Sequence, residues 1–77
     1  MEIPKAQKSL LREFGASFGL DHATLSPNDL THTVRRAVPA VLKENRISGN
    51  HEDRQALKDI ATNAAHQAML DGEQSVT

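Results

Sequence analysis

The sequence has no cysteine, tryptophan or tyrosine and only two phenylalanines. Without cysteine there is no disulfide, no thiolate metal ligand and no sulfur nucleophile, so the cross-links that commonly support very small domains are absent. Packing or self-association must supply the stability. Long apolar runs are missing too: the richest stretch, Ala37-Val38-Pro39-Ala40-Val41-Leu42, is short and interrupted by proline. Neither a signal peptide nor a membrane span is expected, and the chain reads as a soluble, cytoplasmic protein. Nor is there a large charge of one sign. Nine cations stand against ten anions, for a net charge of −1.

With 77 residues there is room for one small core. Leu, Ile, Val and Phe number only 17 of them, close to the disordered boundary, but the balanced charge favours a folded domain with a thin core. Apolar residues at Ile3, Ala6, Leu10, Leu11, Phe14 and Phe18 share one helical face, which predicts a first helix over about 4–18, opened by Pro4 and stopped by Gly19. Leu25-Ser26-Pro27-Asn28-Asp29-Leu30 combines a cap, a proline at the first helical position and a hydrophobic staple, so a second helix begins at Pro27. It is expected to reach residue 46, with a kink or break where Pro39 removes a hydrogen bond. Asn50 with Glu52 and Asp53 predicts the start of a third helix, with Leu57, Ile60, Ala61, Ala64 and Ala68 inward and Gly72 as its stop. The expected fold is therefore all-α: a single three-helix domain over 1–72, with a kinked second helix and a frayed tail over 73–77. Its expected core is Ile3, Leu10, Phe14, Phe18, Leu30, Val34, Val38, Val41, Leu57 and Ile60.

Little in this inventory supports catalysis. His22, His32, His51 and His66 lack the spacing that aims two imidazoles at one metal ion, and no glycine-rich phosphate loop is present. No catalytic residue, metal or cofactor is expected, and His66 reads as a solvated side chain on the polar face of the third helix.

Residues 11–26 resemble the helix-turn-helix of bacterial and phage repressors. Gly15 is the small residue between the two helices, Gly19 the turn, Leu20 the residue after it and Leu25 the one pointing back to the core. The resemblance implies a DNA-binding regulator reading bases with Asp21–Leu25. Pro27, however, falls where the second helix of that motif should continue, and Asp21–Leu25 offers no Arg, Lys, Asn or Gln to a base edge. A plain turn between two helices fits the same residues.

By segment, residues 1–20 and 21–49 each carry +1 and residues 50–77 carry −3. On helical wheels Lys5, Lys8 and Arg12 fall opposite the first helix's apolar stripe, and Arg35, Arg36, Lys43 and Arg46 fall outward on the second. If those faces adjoin, they form a basic surface for an acidic protein or for phosphate. The lack of interleaved aromatics places nucleic acid behind a protein partner. Ala61, Ala64, Ala65 and Ala68 make the last helix smooth enough for close approach by another, and a homodimer through them would enlarge a poor core. The function expected is a small, non-enzymatic helical interaction protein: a regulator, adaptor or phage accessory factor that binds another macromolecule.

Overall fold

Two side-chain caps fix where the later helices begin. The Asp29 N–H donates to Ser26 Oγ at 3.3 Å, and the Asp53 N–H donates to Asn50 Oδ1 at 2.8 Å, each satisfying a backbone donor that the first helical turn leaves unpaired. The computed structural model describes residues 3–74, with side chains through residue 71. Its elements are α1 (Lys5–Asp21), α2 (Pro27–Glu44) and α3 (His51–Gln74). No strand occurs among the described residues.

Glycine placement decides how these helices meet. Gly15 and Gly19 are both buried, one helical turn apart, and they face Ala61 and Ala65, also one turn apart and fully buried. A methyl group at Gly15 would sit only 2.8 and 2.9 Å from the carbonyl carbon and Cα of Ala61, and one at Gly19 would stand 2.9 Å from the same two atoms of Ala65. The matching order of the two pairs makes α1 and α3 parallel neighbours whose backbones nearly touch. Helix α2 runs antiparallel to α3, as the pairs Thr31–His66 and Arg35–Asp59 require. Helices α1 and α2 meet least, so α3 is the common support. The molecule measures 42 × 21 × 19 Å, and α3, with 24 residues, accounts for about 36 Å of such a length at 1.5 Å per residue.

The expected stop at Gly19 is therefore incorrect. Its missing side chain serves close approach, and α1 continues to Asp21, where the His22 N–H and ring Nδ1 both reach the Phe18 carbonyl at 3.0 Å. Residues 11–26 consequently form the end of one continuous helix and a turn, with Leu20 exposed on that helix rather than following a turn. Gly72 does not stop α3 either. A glycine ends a helix by taking a left-handed conformation, and no glycine among the described residues has positive φ. Glu73 and Gln74 thus belong to α3, and the rest of the expected tail lies outside the described residues.

Helix α2 runs unbroken through Pro39, which is exposed. It closes in a Schellman arrangement: the Ile47 N–H bonds the Leu42 carbonyl at 2.9 Å, the Arg46 N–H bonds that of Lys43 at 3.2 Å, and Arg46 is left-handed with φ 55°. Ile47 then folds back onto the core. Of the expected core, Leu30, Val34, Val38 and Leu57 are buried, whereas Ile3, Leu10, Phe14, Phe18, Val41 and Ile60 are only half-buried around it. Leu11, Leu42 and Met69 are inside instead. The buried line of α1 is Leu11–Gly15–Gly19, so the larger Phe14 and Phe18 are displaced to its edge, with ring centroids 5.6 Å apart.

Candidate partner-binding surface

The seven cations that would share one surface if the faces of α1 and α2 adjoined have different surroundings. On α2, Arg35 is engaged internally: Nη1 donates to Asp59 Oδ1 at 2.7 Å and Nη2 to Gln55 Oε1 at 2.9 Å. It helps to hold α2 on α3, through an ion pair whose members remain 32% and 63% exposed and which contributes at most about 1 kcal/mol. Arg36, Lys43 and Arg46 are exposed.

Helix α1 directs its cations elsewhere. Lys8 is half-buried and lines a depression with Glu52, Asp53 and Asp59 of α3, while Arg12 borders a groove that ends at Asp71. Lys5 is exposed. They do not stand opposite the apolar stripe, because that stripe is centred on Leu11–Gly15–Gly19 and Lys8 and Arg12 border it on the wheel. Lys8 therefore lies beside acids of α3, among them the Asp59 that also pairs with Arg35, whereas Arg12 stands at the far end of its groove from Asp71.

A different cationic cluster replaces the expected one. Lys43 from the last turn of α2 meets Arg54 and Lys58 from α3 around a depression of about 370 Å³, whose apolar lining is Pro39, Leu42 and Ile47. No acidic residue lines it. A charge sum over residues 50–77 conceals Arg54 and Lys58, because the acids of α3 outnumber them. Their spacing of four residues puts them on one face, away from Glu52, Asp59 and Asp71, and that spacing was the available signal.

The alanines also separate into two pairs. Ala61 and Ala65 are fully buried against Gly15 and Gly19, so they are unavailable to a second chain and their expected self-association role is withdrawn. Ala64 and Ala68, each about 60° round the helix from the buried alanine three residues before it, line the α1–α3 groove with Arg12, Ala16, Ile60, Asn63, Gln67 and Asp71. His66 is not a solvated side chain. Its Nε2 and the Thr31 hydroxyl share a hydrogen bond of 2.7 Å across the α2–α3 interface, and the same hydroxyl lies 3.0 Å from the Pro27 carbonyl. His22 stacks on Phe18 with centroids 4.0 Å apart. Among the described residues no three His, Asp or Glu side chains gather as a metal site, and no helix is long and apolar enough to cross a membrane.

Comparison with protein-family models, with curated proteins and with solved structures finds no match to this chain.

Proposed function

We propose that the chain is a small, non-enzymatic helical interaction protein, a regulator or adaptor, which binds an acidic protein through the cationic surface of α2 as extended by Arg54 and Lys58 of α3. The observation that carries this reading is the convergence of Lys43, Arg54 and Lys58 around a depression with no acid on it, in a chain whose net charge is −1. Like charges gathered at one site raise the local potential and favour an anionic partner. Exposed Arg36 and Arg46 extend the field. Nucleic acid is the less favoured partner, because no aromatic side chain accompanies these cations for base stacking and residues 11–26 do not form a helix-turn-helix.

Self-association, if it accompanies this role, is assigned to Ala64 and Ala68. A two-fold antiparallel meeting of two α1–α3 grooves would set Arg12 of each copy near Asp71 of the other.

The function is tested by titrating isotope-labelled protein with polyglutamate and with duplex DNA at physiological salt. Polyglutamate is expected to shift amides of residues 36–46 and 54–58, weakening as salt rises. Tighter binding of the duplex at those amides, or no response to polyglutamate, overturns the reading.

A further inference from the structure

The depression between α2 and α3 is more specific than a charged patch. Its lining is apolar: Leu42 is 5% exposed, Ile47 is half-buried and Pro39 presents its ring to solvent. Its charged members come from two helices, Lys43 on one side and Arg54 and Lys58, one turn apart, on the other. A ligand that fills it must therefore place an apolar group on the lining and anions at the rim.

Pro39 adds a third requirement. Having no N–H, it cannot bond the Arg35 carbonyl one turn back, so that acceptor lacks its helical donor on the flank of α2 that carries the depression. A peptide backbone can supply an N–H there. A phosphodiester backbone has acceptors only and would set them against that carbonyl.

Resting on the reading of the cationic surface as a partner site, we infer that this depression takes one apolar side chain of an acidic protein segment, with carboxylates on either side of it paired to Lys43, Arg54 and Lys58. Pro39 is then a positioning residue that costs helix stability and keeps a carbonyl available.

The test uses the full chain and a short synthetic peptide with one leucine flanked on both sides by glutamates, against a second peptide in which serine replaces that leucine. Expected are amide shifts confined to residues 35–47 and 54–58, with the serine peptide about tenfold weaker, equivalent to about 1.4 kcal/mol. Lys43→Glu, Arg54→Glu and Lys58→Glu should each weaken the leucine peptide by about tenfold at an unchanged melting temperature; Lys43 and Arg54 are exposed, so those two variants keep the test open if Lys58→Glu fails to fold. Pro39→Ala should melt higher and bind more weakly, a combination that a purely structural proline would not give. Equal binding of the two peptides overturns the inference while leaving the cationic partner surface standing. If neither peptide binds, or both shift only α1, the proposed function falls with it.

Discussion

Gly15→Ala sets two physical effects against each other, and the structure says which wins. In an exposed helix the substitution would stabilise by about 1 kcal/mol, because glycine is the poorer helix former. Gly15, however, is buried, and the added methyl would lie 2.8 Å from the Ala61 carbonyl carbon and 2.9 Å from its Cα, with its carbonyl oxygen nearer still. These are backbone atoms, and no rotamer change moves them. Relief requires α1 and α3 to separate by roughly 0.5–1 Å, which also weakens the dispersion contacts of neighbouring groups by a quarter to a half. Overpacking against movable side chains costs about 1–3 kcal/mol; against a rigid backbone the upper end applies, and after the propensity gain about 2 kcal/mol of destabilisation remains. For a domain of this size that lowers the melting temperature by about 8–16 °C. Gly19→Ala meets Ala65 in the same way, and because one separation relieves both clashes, the double variant should lose less than the sum of the single losses. Thermal and denaturant melts of the four proteins decide it. A rise in melting temperature for Gly15→Ala would mean that the helices do not approach here and would refute the packing.

Ser26→Ala removes the acceptor for the Asp29 N–H and should cost about 1 kcal/mol in chemical denaturation; a silent substitution would place the start of α2 elsewhere. Arg46→Gly should stabilise by about 0.5–1 kcal/mol, since glycine takes the left-handed cap conformation without the side-chain penalty. Ala65→Glu should abolish cooperative melting by burying an unpaired carboxylate against Gly19, whereas Ala64→Glu, at the open groove, should melt normally and change only the sedimentation of any dimer. If Ala65→Glu melts like the parent, the α1–α3 pairing is wrong.

The helix starts were legible because a cap depends on neighbours in sequence. Ser26-Pro27 and Asn50 with Asp53 carry their geometry within three or four residues, and the structure places both starts within a residue of expectation. Gly19 and Gly72 are harder to read because glycine has two opposed uses, a left-handed turn or a place within a helix where a side chain would not fit, and the choice depends on what packs across from it. Gly15-x-x-x-Gly19 and Ala61-x-x-x-Ala65 are both visible in the sequence, yet Gly19 by itself equally suits a turn and the alanines equally suit a surface between chains. Their mutual fit is a long-range fact. The cationic depression was hidden for another reason: a sum over residues 50–77 cancels charges that helix geometry puts on different faces. Arg54 and Lys58 lie on one face of α3 and most of its acids elsewhere, so a wheel rather than a sum would have shown them.

The fold also separates what stabilises this protein from what it presents. The Gly–Ala contact joins α1 to α3 at Ala61 and Ala65, while the cationic depression lies between α2 and α3 on Arg54 and Lys58, about two turns nearer the start of α3. A ligand in that depression bridges α2 and α3, and at one hundred times its dissociation constant it should stabilise the folded chain by about 2.7 kcal/mol. Gly15→Ala weakens a contact the ligand does not touch, so its loss and the ligand's gain should add to within about 0.5 kcal/mol. In melts of parent and Gly15→Ala with and without the leucine peptide, the expected result is a constant ligand-induced gain in unfolding free energy above a lowered baseline. A gain that vanishes in Gly15→Ala, in a protein that still melts cooperatively, would show that the depression depends on the α1–α3 contact and that the two stretches of α3 do not act independently.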